Sequence, residues 1–168
     1  YSTLCPPFWA LSQVCVFGHL ISFAFDETLG FLLGGYIMGN WRRFRANAGT
    51  FILEKCCHDI DIANWFVGAL PIRTASFGGL DFYRPENAYH IERIGPSAGG
   101  AAAYSPWDKD TFAGREPPKF VLQENPFKAE KDILDNQVVI LEYGNGVRGT
   151  FHTNTNSAMP ERRFHLVG

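Results

Sequence analysis

Glu54, His58, Asp61 and Trp65 follow one another at steps of four, three and four residues. On a 3.6-residue repeat this spacing lines an acid, an imidazole, a second acid and an indole along one side of a helix. The surrounding run, residues 49–67, is expected to form one helix of about five turns. Its other faces are mostly apolar, with Ile52, Leu53, Cys56, Cys57, Ile60, Ala63, Phe66 and Val67. Ionisable groups on such a helix are costly to desolvate unless they are paired or used. A carboxylate four residues before a histidine can accept a hydrogen bond from its ring, orient it and raise its basicity, which suits proton transfer. The same spacing fits a core histidine satisfied by Glu54 and Asp61, and spacing alone does not separate the two.

The elements that would position this helix are strands. Strand patterns occur at 19–27, 72–82, 137–143, 147–154 and 163–167, with the helix between the first two. One helix followed by a meander of strands predicts an α+β domain: a mainly antiparallel open sheet with helices packed on one face. In the clearest hairpin, Val138, Ile140 and Glu142 alternate with Val139, Leu141 and Tyr143. Apolar side chains on both sides predict that both faces of the sheet are covered, one of them by a second subunit. Residues 83–133 hold six of the ten prolines, and a long excursion of this kind reads as a lid, an insertion or a mobile loop.

Composition sets the outer limits. A chain of 168 residues, 46% hydrophobic and 15% aromatic with 15 Phe, suits one domain with a packed core. The formal charge of −2 gives no basic field for nucleic acid. The greasy stretch 8–25 is interrupted by Ser12, Gln13, Gly18, His19 and Ser22 and has no basic leader, so neither a membrane span nor a signal peptide is expected. The four cysteines show no Cys-x-x-Cys spacing, and neighbouring Cys56 and Cys57 suit neither a mutual disulfide nor a zinc knuckle. Reduced thiols and a cytoplasmic location are the simplest expectation.

A set of motifs in fixed order carries a family resemblance. They are Gly18-His19-Leu20-Ile21-Ser22-Phe23-Ala24-Phe25-Asp26-Glu27, Asn40-Trp41-Arg42-Arg43-Phe44, Glu54-Lys55-Cys56-Cys57-His58-Asp59-Ile60-Asp61 and Asn64-Trp65-Phe66-Val67-Gly68. Asp132-Ile133-Leu134-Asp135-Asn136, Glu142-Tyr143 and Met159-Pro160-Glu161-Arg162-Arg163 follow. Together they resemble the C-terminal domain of the Gfo/Idh/MocA oxidoreductases, which include glucose–fructose oxidoreductase and inositol dehydrogenase. The resemblance implies a two-domain NAD(P)-dependent enzyme. Its N-terminal Rossmann domain would hold the cofactor and a catalytic lysine in a Glu-Lys-Pro motif. Its C-terminal domain would bind a sugar or polyol and form a homo-oligomer through its sheet; a dimer is favoured because two-fold pairing is the commonest closed arrangement.

By position in the motif, the family's acid and acid/base histidine fall on Glu54 and His58, with Glu standing where Asp is more usual. Asp59 and Asp61 are then expected to bind substrate hydroxyls or cap nearby backbone. Trp41, Arg42 and Arg43, just before the helix, are expected at the substrate- and cofactor-facing edge. NAD or NADP would serve the full-length enzyme, with none bound to this chain alone. The only literal G-x-G-x-x-G, from Gly144 to Gly149, lies between two strands, and its Asn145-Gly146 dipeptide favours a hairpin turn. No Glu-Lys-Pro occurs. The chain is therefore expected to lack the cofactor domain, with 1–17 an atypical N-terminal segment and 18–168 a substrate-binding and oligomerisation domain truncated at its C-terminus.

Two rival readings remain. Glu54, His58 and Asp61 offer an O/N/O metal set, to which His90, His152 or His165 could contribute, although no spacing predicts their convergence. A stand-alone sheet domain with an apolar face could instead act as a non-enzymatic assembly module.

Overall fold

Alternation along five strands builds the frame. In this computed structural model, residues 18–90 and 124–168 are described. The expectations for residues 1–17, and for the stretch 91–123 of the long excursion, lie outside them. The strands are β1 (Ser22–Gly30), β2 (Pro71–Gly79), β3 (Asn136–Tyr143), β4 (Arg148–Ser157) and β5 (Arg162–Val167). They form one mixed sheet in the order β2-β3-β4-β1-β5. Only β1 and β4 run parallel; the other three pairings are antiparallel. The mainly antiparallel α+β expectation is met.

Register decides which side chains share a face. Phe23, Phe25, Glu27 and Leu29 of β1 turn inward with Val139, Leu141 and Tyr143 of β3 and Phe151, Thr153 and Thr155 of β4. These positions meet Ile37, Met38, Phe51, Cys56, Ala63 and Val67 from the helical layer. The opposite face runs in rows, one of which is Phe77, Val138, His152, Asp26 and Arg163. It is apolar toward β2 and β3, where Phe77, Ile140 and Val138 are 75%, 51% and 41% exposed, and charged or polar toward β5.

The helical layer follows β1 directly. Helix α1 (Phe31–Gly39) is apolar nearly all round, and it leads into a 3₁₀ turn at Trp41–Arg43. Gly34 permits this packing: a Cβ there would sit 1.7 Å from the Thr155 carbonyl oxygen, so α1 lies on β4 only with glycine at that position. Three short elements follow: α2 (Arg45–Ala48), α3 (Phe51–Glu54) and α4 (Cys57–Val67). Thr50 caps α3, its hydroxyl accepting from the Leu53 N–H.

The single helix expected over 49–67 is therefore broken. Cys56 leaves helical geometry at φ −97° and ψ 6° and serves as the N-cap residue of α4. Two inward contacts accompany the break. The Lys55 ammonium donates to Glu27 Oε1 at 2.7 Å, and the Cys56 thiol lies 3.6 Å from Thr153 Oγ1.

Candidate functional site

The break determines what α4 shows to solvent and what it hides. Cys56, Asp59, Ala63 and Val67 turn toward the sheet, while Cys57, His58, Asp61 and Trp65 are exposed. Farther along α4, the Tyr143 hydroxyl donates to Asn64 Oδ1 at 3.0 Å, and the Phe66 ring meets Phe164 at 5.6 Å. These contacts fix the helix over β3 and β5, so its outer side projects from a rigid base. The core-histidine alternative does not hold, because the His58 ring stands outside. Its Nδ1 lies 3.6 Å from the neighbouring Cys57 sulfur.

Glu54 is placed differently from the sequence expectation. Its Oε1 accepts from Arg42 Nε at 2.5 Å, and among the described residues no hydrogen bond joins it to His58. The four-residue spacing fails because the two residues belong to different helices. Arg42 is held on three sides: by Glu54, by the Tyr36 hydroxyl, which accepts from Nη1 at 3.3 Å, and by the Trp41 ring, 4.4 Å from the guanidinium carbon. Stacking and a carboxylate partner leave an arginine few rotamers while keeping its outer edge open. Of its five N–H donors, two are engaged among the described residues.

Arg43 has another use. Its guanidinium donates to the backbone oxygens of Gly39, Asn40 and Glu130 and to the Glu124 carboxylate. It ties residue 40 to the chain around 124–130, so its guanidinium is engaged within the chain where that of Arg42 keeps an open edge. Asp59, expected to bind substrate hydroxyls or cap nearby backbone, is turned inward instead. It is fully buried, with Oδ1 3.0 Å from Arg162 Nε, and does not reach a substrate hydroxyl. Asp61 and Trp65 are exposed on the same outer side as His58.

Sequence reasoning missed the charged cluster beneath α4. Glu27, 4% exposed, accepts from Lys55 and from two nitrogens of Arg162. The signal was present: Glu27 and Arg162 interrupt the inward apolar alternations Phe23-Phe25-Leu29 and Phe164-Leu166, and they are register partners on adjacent strands. Inward charges of opposite sign at paired positions predict an ion pair.

No dinucleotide cradle is formed by the described residues. The glycine-rich run at 144–149 is the expected hairpin turn, with Gly146 at φ 87° and the Tyr143 N–H donating to the Val147 carbonyl at 2.9 Å, and no helix follows it. The metal alternative gains no support, since no group of three His, Cys, Asp or Glu among the described residues could hold an ion.

Residues 15–168 match the family model described as the oxidoreductase family, C-terminal alpha/beta domain. YteT of Bacillus subtilis (strain 168), which carries an oxidoreductase name, is 28% identical over 57 residues, covering 34% of this chain and 13% of its own length. Among solved structures, the WlbA dehydrogenase of Bordetella pertussis, in complex with NADH and UDP-GlcNAcA, superimposes with a TM-score of 0.62 at 11% identity, over 99% of this chain and 38% of that one. Levoglucosan dehydrogenase, in complex with NADH and levoglucosan, gives 0.60 at 13% identity, over 96% and 34%. The myo-inositol 2-dehydrogenase of Lactobacillus plantarum gives 0.58 at 12% identity, over 97% and 35%. At these identities the structural likeness establishes the fold, and the chain spans little more than a third of each of those structures.

Proposed function

The chain belongs to the Gfo/Idh/MocA oxidoreductase family through its C-terminal α/β domain, and from that premise we propose that it is the substrate-binding and oligomerisation domain of an NAD(P)-dependent oxidoreductase. The substrate is a CH–OH compound of the sugar or polyol class. A domain that this sequence does not contain binds the nicotinamide, which accepts the hydride. The observation that carries this reading is His58, exposed in the first turn of a helix whose inner side is fixed to the sheet.

Removing hydride from a carbinol carbon requires loss of the hydroxyl proton, or positive charge builds on carbon. An exposed imidazole within reach of the hydroxyl takes that proton and returns it in the reverse direction. Asp61, one turn on and also exposed, accepts hydrogen bonds from neighbouring substrate hydroxyls. Glu54 contributes through Arg42, not by orienting His58. It neutralises and fixes the guanidinium, whose open edge, beside Trp41, meets polar or anionic groups of the bound molecules.

The open face of the sheet supports the oligomerisation role. Phe77, Val138 and Ile140 form an apolar patch there, of the kind buried by a second copy in a two-fold pair. The free thiols of Cys56 and Cys57 suit a reducing cytoplasm.

The decisive experiment is His58→Ala in the full-length enzyme. Turnover is expected to fall ~10²- to 10⁴-fold with the unfolding midpoint little changed. Turnover within about threefold of wild type excludes His58 as the acid/base. The chain alone is expected to show no affinity for NAD(H) or NADP(H), and micromolar binding by calorimetry would overturn the division of labour between the domains.

A further inference from the structure

The Asp59 carboxylate is fully buried, and neither of its oxygens accepts a hydrogen bond among the described residues. Arg162 Nε lies 3.0 Å from Oδ1. That nitrogen carries a single hydrogen, and Glu27 Oε2 takes it at 2.7 Å. Arg162 Nη2 and Lys55 Nζ both donate to Glu27 Oε1, at 3.0 and 2.7 Å. Glu27 thus collects the hydrogen bonds, while Asp59 feels only the field of the two cations. Desolvation pushes the Asp59 carboxyl up, and repulsion from Glu27 adds to it; Arg162, Lys55 and His58 act in the opposite direction. A buried acid without a hydrogen-bond donor costs the fold free energy. Such groups concentrate where a site needs them.

The place of Asp59 indicates the use. It directly follows His58 in the first turn of α4. Glu27, Lys55 and Arg162 bring β1, the α3–α4 break and β5 to that same point. The cluster holds two acids and two bases, so Asp59 also balances its charge. We infer that Asp59 is a positioning residue for His58: its attraction to Arg162 and Lys55 draws the first turn of α4 onto the sheet and thereby sets where the imidazole stands. Asp59 faces inward and His58 outward from adjacent positions of one turn, so a displacement of the first carries the second. A shift of about 1 Å in a reacting group costs up to ~10²-fold in rate.

This inference rests on His58 being the proton-transfer group, and the test separates the two. Asp59→Asn, Arg162→Lys, the double variant and His58→Ala are compared in the full-length enzyme. For Asp59→Asn the account predicts kcat lowered at least ~10-fold, KM for the cofactor within about twofold, and an unfolding midpoint equal to or above wild type at neutral pH. Arg162→Lys keeps the charge but loses the fork. It is expected to lower kcat by less, and the double variant to lose no more than Asp59→Asn alone, because both act through one network.

A merely structural role predicts a lower midpoint with kcat per folded molecule preserved. Asp59→Asn with kcat within about twofold of wild type overturns the inference, as does a double variant whose losses multiply. Should Asp59→Asn fail to fold, Arg162→Lys decides alone: preserved kcat rejects the inference, and reduced kcat with unchanged KM upholds it. If His58→Ala keeps turnover, the proton-transfer reading falls and takes this inference with it. If His58→Ala is inactive while Asp59→Asn is normal, only the positioning role is lost.

Discussion

Asp135 and Asp59 are buried to the same degree beneath one sheet, yet they are held in opposite ways. Asp135, 1% exposed, accepts the backbone N–H groups of Asp81, Phe82 and Tyr83 at 2.8–2.9 Å. Its own N–H donates to the Gly79 carbonyl, and its carbonyl accepts from Thr155. One residue thus stitches the segment after β2 to the start of β3 through its side chain, and to the end of β4 through its backbone carbonyl. Asp59 accepts no hydrogen bond among the described residues and depends on charge alone. Saturated with donors, Asp135 belongs to the architecture. Asp59, left without them beside the one exposed histidine of α4, is the residue we propose positions that histidine. Burial alone does not tell the two acids apart; the count of donors does.

Four experiments break or sharpen this contrast. The largest effect belongs to the site: His58→Ala is expected to cost ~10²- to 10⁴-fold in turnover and almost nothing in stability, read by steady-state kinetics beside thermal unfolding. Next comes the architectural acid. Asp135→Ala strands three backbone N–H donors, that of Tyr83 buried and those of Asp81 and Phe82 part-buried, and is expected to cost about 3 kcal/mol, measured by denaturant unfolding of the full-length protein. A loss below about 1 kcal/mol would mean that the stitching is dispensable.

The third experiment uses pH. The folded-state pKa of Asp59 is raised, first by desolvation and then by Glu27. Its favourable contribution is therefore complete below the unfolded aspartate value of about 3.9 and is lost as pH rises through the folded value. Asp59→Asn should accordingly leave stability unchanged or higher at neutral pH, with any gain absent near pH 3. A gain confined to acid pH would reverse the sign and refute the account of this carboxylate. The fourth effect is the smallest. Phe77→Ser on the open face is expected to weaken self-association, seen by sedimentation as a shift toward smaller species, with no change in the unfolding midpoint. A wild-type protein that stays monomeric at high concentration would remove the oligomerisation role instead.

The sheet was readable from the chain because alternation reports a one-sided core. Strands expected at 137–143 and 163–167 are observed at Asn136–Tyr143 and Arg162–Val167. Edges set by partners were harder to read. The first strand was expected from residue 19, but its ladders begin at Ser22, opposite Arg148 and Val167. The second was expected to reach residue 82, but its strand ends at Gly79, and the Asp135 carboxylate gathers the N–H groups of residues 81–83. Helix α1 escaped notice because it is apolar nearly all round and carries no 3.6-residue contrast.

At the site, the residue types were legible and their pairing was not. The spacing of Glu54 and His58 presumes one helix, while contacts from Glu27 and Thr153, more than 25 residues away in sequence, accompany its division at Lys55 and Cys56. The same tertiary placement separates the two neighbouring thiols. Burial pushes Cys56 up to about 12, so native alkylation at mild pH should spare it, while exposed Cys57 is open to reagent.

The central claim is that α4 presents His58 outward to move the substrate proton. The pH dependence of kcat/KM, measured for the full-length enzyme and for His58→Gln at saturating cofactor, tests it most directly. The account predicts that one ionisation limb of the wild-type profile disappears in the variant, leaving a low rate independent of that proton. A variant that keeps the same limb at near wild-type rate would show that another group carries the proton.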